Sequence, residues 1–227
     1  MAPDLLTSER ATEMVAACER NGTTVARLTA EAFASVAERD NPSGLGAVVR
    51  IPGRSLDDIS LSEESIVVGL WETGNPGNLG TIVRTSDAAG AAGVIVAGPS
   101  ADPWSPAAVK ASLGTVFSTP VVSSSPDMLI DWARDRGLAI VATSAHGDVD
   151  LWSAGAPAPC LLLFGSEGAG LPPEALAAAD VVLRIPQRGA ATSLNLAVAA
   201  GIVIYEVART IPNELVEVAG KRVGKDG

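Results

Sequence analysis

Five short segments of the chain, 66–71, 93–97, 138–143, 160–164 and 181–185, are apolar at nearly consecutive positions. A strand with one wet face alternates apolar and polar residues, whereas a strand covered on both faces does not. Helix-forming stretches separate these segments, at 79–89, 106–113 and 126–136, and 116–122 reads as a further extended piece. Strands alternating with helices through short connections imply an α/β fold, with a parallel sheet covered on both sides. Composition agrees: apolar residues make up 47% and aromatics only 4%, so the core is built from Ala, Val, Leu and Ile.

The last strand, ending at Ile185, runs into a Gly-bearing loop and then a helix with Ser193 and Asn195 in its first turn. That helix is apolar on nearly every side, so it is expected to be buried, with Thr192 or Ser193 as its cap. Residues 1–55 read differently. Helices are expected at 7–21 and 29–39, with short strands at 24–28 and 45–51. A polar linker is expected at 56–64, the main domain at 65–210 and a flexible tail at 211–227.

Several classes lose support. No run approaches the roughly 20 apolar residues of a membrane span, and the start lacks signal-peptide character, so a cytoplasmic protein is expected. Cys18 and Cys160 match no metal spacing and read as free thiols, and no metal is expected. The single histidine, His146, supports no nucleophilic triad. The phosphate-loop pattern is absent, and Gly74, Gly77 and Gly80 have the wrong spacing for a dinucleotide fingerprint. The net charge of −10 counts against a nucleic-acid partner without excluding a local basic patch around Arg84, Lys110, Arg184 and Arg188.

What remains is three Gly-bearing loops, 74–80, 165–173 and 186–192, each following a buried strand. In an open α/β sheet such loops converge at the carboxyl ends of the strands, where ligands bind. Asn78 reads equally as a turn residue, Arg84 as a solvated helix residue, Glu167 as a helix-entry carboxylate, and Ser193 and Asn195 as caps.

The stretch 75–90, from Asn75-Pro76-Gly77-Asn78 through Arg84 to Gly90, resembles the first motif of the SpoU/TrmH branch of the SPOUT RNA methyltransferases. The stretch 163–171 resembles the second. Ile185-Pro186 through Ser193-Leu194-Asn195 to Glu206 resembles the third. The resemblance covers about 60–210 and implies a SPOUT-type parallel sheet with a C-terminal trefoil knot. It implies an S-adenosylmethionine-dependent transfer of methyl to a ribose 2′-hydroxyl of RNA by a homodimer, with ribosomal RNA favoured over transfer RNA. Carried over position by position, the catalytic residues are Asn78, Arg84, Glu167, Ser193 and Asn195. The donor contacts are Thr143, Phe164, Gly165, Glu167, Ile185, Gln187, Ser193 and Leu194. Gln187 stands where the family often has Met. The N-terminal piece resembles the latter part of an L30-like RNA-binding domain, whose opening part has no counterpart in this sequence. Two other readings compete: a non-catalytic RNA-binding protein on the same scaffold, and a nucleotide-binding α/β enzyme acting on a small molecule.

Overall fold

The computed structural model describes residues 1–37, 40–153, 157–190 and 192–211. The chain divides into two compact units, Met1–Ile51 and the residues from Pro52 onward. The first unit holds two helices, α1 (Glu9–Arg20) and α2 (Ala30–Val36). Each opens on a hydroxyl cap: Ser8 accepts from the Ala11 N–H and Thr29 from the Ala32 N–H. Positions 38 and 39, the end expected for the second helix, lie outside the described residues.

The expected strands at 24–28 and 45–51 do not form, so among its described residues this unit is helical rather than α/β. At 24–28 the only backbone pairing among the described residues is with the first residue: Met1 accepts from the Leu28 N–H at 2.9 Å and its amino group donates to the Ala26 carbonyl at 2.7 Å, too short a ladder to make a strand. At 45–51 Val48, Val49 and Ile51 stay exposed rather than covered as a sheet face would be.

The second unit contains β1 (Ile66–Trp71), α3 (Pro76–Ala88), β2 (Gly93–Ala97), α4 (Pro106–Ala111), β3 (Val121–Ser124), α5 (Pro126–Asp135), β4 (Ala139–Thr143), β5 (Val149–Asp150), β6 (Cys160–Phe164), α6 (Pro173–Ala178), β7 (Val181–Arg184) and α7 (Leu196–Thr210). The seven strands form one sheet in the order β3-β2-β1-β6-β4-β7-β5. Every pairing is parallel. The consecutive apolar runs divide between two cores, as strands covered on both faces require. Ile66, Val68 and Leu70 of β1, with Cys160, Leu162 and Phe164 of β6, share one core with Leu79, Ile82 and Val83 of α3 and Ala200, Val203 and Ile204 of α7. Val67, Trp71, Leu161 and Leu163 join Leu129, Trp132 and Ala133 of α5 on the other face.

The segment expected as a polar linker belongs to this second core. Leu56–Asp58 forms a 3₁₀ turn, and Ile59 is 1% exposed. A Cβ placed on Gly93 would meet the Ile59 side chain at 3.2 Å. Its polar residues lie on the outside of that turn, and the apolar ones anchor it. The expected tail lies, from position 212, outside the described residues.

Helix α7 also departs from expectation. Its inner face (Ala197, Ala200, Val203, Ile204, Val207) is buried, but Val198 and Tyr205 are half-exposed. Among the described residues α7 packs chiefly on α3 and β6.

Candidate active site

Chain order runs outward from β1 through β2 to β3, then resumes on the other side with β4, β6 and β7. The β1/β6 boundary is therefore a topological switch point, where the crevice at the strands' carboxyl ends receives ligands. The loops after β1, β4, β6 and β7 all emerge on this edge.

The loop after β1 turns at Glu72, whose φ of 53° is left-handed. Asn75 then caps α3: its Oδ1 accepts from the N–H groups of Gly77 (2.8 Å) and Asn78 (3.2 Å), and Pro76 occupies the first helical position. The loop after β6 folds back on itself through paired bonds between Ser166 and Gly170. This brings backbone so close that a Cβ on Gly165 would sit 2.1 Å from the Gly170 carbonyl carbon. On the open side, a Cβ at Gly168 or Gly170 would meet nothing within 4 Å. The third loop ends at Asn195, whose Oδ1 caps α7 by accepting from Ala197 (2.9 Å) and Val198 (3.3 Å). The cap is thus Asn195 rather than Thr192 or Ser193, and Ser193 lies outside the helix. An Asn amide two residues before the first capped N–H can bridge two orphan donors at once.

Side chains join the three loops. Asn195 Nδ2 donates to Asn78 Oδ1 at 3.1 Å, and Asn78 Nδ2 donates to Glu167 Oε1 at 2.9 Å. The Gly74 N–H donates to the other Glu167 oxygen at 3.3 Å. Partial burial pushes the Glu167 carboxyl up, but hydrogen bonds from Asn78 and from the backbone of Glu167, Gly74 and Asn75 outweigh it and hold the group below its ordinary range.

Around this junction lies a cavity of ≈ 550 Å³. It is lined by Thr143, Phe164, Gly165, Glu167, Ile185, Gln187, Ser193, Leu194 and Asn195 of the predicted residues. Gly165, Gln187 and Leu194 share one pocket although 29 positions separate the first from the last. Thr143 is fixed by its hydroxyl, which donates to the Leu163 carbonyl at 2.9 Å. Asn78 reaches the cavity through Glu167 and Asn195, and it lines an adjoining groove of ≈ 500 Å³ with Asn75, Gly77, Thr81, Ala111, Asn195, Ala197 and Val198. Arg84 lines neither: it is exposed on α3, one turn beyond Thr81. Sequence reasoning missed Ser144 and His146 in the cavity wall and Asn75 as the α3 cap. The Asn75-Pro76 pair carried a signal for that cap. Nothing local marked His146.

The lining has one carboxylate, many backbone groups and, among the described residues, no cluster of His, Cys, Asp or Glu able to hold a metal ion. It suits an organic ligand carrying positive charge and hydrogen-bonding edges. Residues 65–205 match the model of the SpoU rRNA Methylase family. The chain belongs to this family. Among its relatives, the 23S rRNA (uridine(2479)-2′-O)-methyltransferase of Streptomyces viridochromogenes is 39% identical over 178 residues, which are 76% of this chain and 62% of that protein. Solved SpoU-type structures superpose well. The AdoMet-bound rRNA methyltransferase of Sinorhizobium meliloti has a TM-score of 0.83 at 37% identity, covering 90% of this chain and 78% of that one. The SpoU methyltransferase AviRb of Streptomyces viridochromogenes, in complex with AdoMet, has a TM-score of 0.81 at 33% identity, covering 92% and 80%.

Proposed function

We propose that this SpoU-family chain transfers a methyl group from S-adenosylmethionine to a ribose 2′-hydroxyl of ribosomal RNA, working as a homodimer. The observation that carries the reading is the Glu167–Asn78–Asn195 junction, which gathers three distant loops around one cavity. The residues present fit the donor. The Gly165–Gly170 cradle leaves backbone groups facing open space, and the ionised Glu167 suits a ligand with a positive centre.

Thr143, Phe164, Gly165, Glu167, Ile185, Gln187, Ser193 and Leu194 would hold that donor. When bound, it supplies an electrophilic methyl on a sulfonium, so the chemistry calls for no metal. The protein's part is orientation of the acceptor hydroxyl, which can supply most of the acceleration. Arg84 presents a planar fork of donors that matches a phosphate. Its role is to grip a substrate phosphate and favour the developing alkoxide from the α3 face beside the groove. Support for a homodimer comes from the apolar outer face of α7, where Val198 and Tyr205 are half-exposed. The return of the chain from β7 past β4 and β6 to seat α7 on α3 supports the trefoil crossing implied by the motifs.

The test is methyl transfer to ribosomal RNA, with transfer RNA as the competing substrate and ribose methylation mapped by position. The expected result is a single modified ribosomal nucleotide, and a loss of at least about 100-fold in rate for Arg84→Ala, the scale of one lost charge-stabilising donor. RNA binding without turnover would replace this reading by that of a binding scaffold.

A further inference from the structure

The bonds joining Glu167, Asn78 and Asn195 have a direction that is set from one end. Backbone N–H groups only donate, so the Asn195 atom that meets Ala197 and Val198 is its carbonyl oxygen. Its NH₂ group therefore turns to Asn78, which must answer with its own carbonyl oxygen. The Asn78 NH₂ is then left facing Glu167, where only an acceptor fits. A protonated Glu167 would waste one of its two acceptor positions, because the second oxygen already takes the Gly74 N–H.

We propose that Asn195 is a positioning residue: the amide that caps α7 also fixes Asn78, and through Asn78 it holds the Glu167 carboxylate in place against the cavity. One side chain thereby couples the folding of a helix terminus to the orientation of the carboxylate on the wall that receives the ligand. This rests on reading the cavity as the methyl donor's site. The charged and titratable groups on the surrounding elements include Glu72 after β1, Arg84 and Asp87 on α3, Lys110 on α4, His146 and Asp148 after β4, Glu174 on α6, Asp180 after it, Arg184 and Arg188 before α7, and Tyr205, Glu206 and Arg209 on α7. Among the described residues none of these makes an ion pair with Glu167, whose carboxylate is held by the Asn78 side chain and by the backbone of Gly74, Asn75 and Glu167.

The test is a double-mutant cycle on the full chain, read on two observables. One is the titration midpoint of the Glu167 carboxyl by carbon-13 NMR without ligand. The other is the dissociation constant for S-adenosylmethionine. Asn195→Ser keeps a capping oxygen but has no amide to donate, so the melting temperature should hold within about 3 °C. The midpoint should rise by about half a pH unit, and donor binding should weaken about tenfold, the scale of one charge-assisted hydrogen bond. In an Asn78→Ala background the same change should move neither observable. Should the serine variant not fold, Asn195→Asp, an equally good cap, takes its place. The part of its midpoint rise that vanishes with Asn78→Ala then reads the relay, and the remainder is the new charge acting through space. An unmoved midpoint, or equal effects with and without Asn78, overturns the relay. A wild-type protein that binds no S-adenosylmethionine while the midpoint cycle behaves as described would overturn the donor reading and leave the relay standing.

Discussion

Gly165 carries the tightest steric demand in the site. A methyl group there would lie 2.1 Å from the Gly170 carbonyl carbon and 2.2 Å from the Leu171 nitrogen, both backbone atoms that cannot swing away. Gly165→Ala must therefore open the 165–170 cradle, and calorimetry should show donor affinity falling by at least about tenfold, for a strain of about 1–3 kcal/mol. Cys160 makes a second prediction. Burial at the centre of the sheet pushes its thiol up to about 12, because the thiolate would lose its hydration there. A thiol reagent at neutral pH should label half-buried Cys18 in the native protein and reach Cys160 only after denaturation. At this scale the sequence was legible where a residue's type restricts its use, as with glycines between two strands or an Asn before Pro. Asn78 and Glu167 share no local signal. Their bond joins positions 89 apart, and only the sheet order brings them together.

Among the elements, α3 and α4 meet at Gly80, where an added Cβ would come within 2.2 Å of the Ala108 carbonyl oxygen and 2.8 Å of the Ala111 Cβ. In an unencumbered helix Gly→Ala gains about 1 kcal/mol. Here a backbone atom blocks the methyl, and overpacking that costs about 1–3 kcal/mol should win. Gly80→Ala is therefore expected to lower the melting temperature by roughly 2–8 °C in a thermal scan; a rise would show that the helices can part. The strands β1, β2, β4, β6 and β7 and the helices α3, α4 and α5 were readable, because continuous apolar runs mark buried strands and Ser or Asn before Pro marks helix entry. Ser105-Pro106 and Ser125-Pro126 repeat the Asn75-Pro76 pattern, each hydroxyl capping its helix. β5 escaped because two residues carry no period. The segment 45–51 was misread because β-propensity says nothing about whether a partner strand exists.

For the molecule as a whole, the informative boundary is the one between the two units. All residues of the cavity, the groove and the Asn195–Asn78–Glu167 relay lie beyond Pro52. Among the described residues, both cores of the larger unit draw on the chain from Leu56 onward. A chain of residues 52–227 should therefore fold cooperatively and bind S-adenosylmethionine within about twofold of the full chain. A chain of residues 65–227, cut where composition alone would place the domain start, removes Ile59, a residue 1% exposed in the second core. Losing one such side chain costs about 2–5 kcal/mol, and Leu56 and Leu61 go with it. Denaturant unfolding of the two truncations side by side makes the comparison. Equal midpoints would mean that 56–64 is a tether after all. A selective loss in the shorter chain would show that this polar-looking segment is part of the domain that carries the chemistry. The same pair separates recruitment from catalysis. If residues 52–227 bind the donor normally but methylate ribosomal RNA more slowly, the first unit acts on the RNA and not on the cavity.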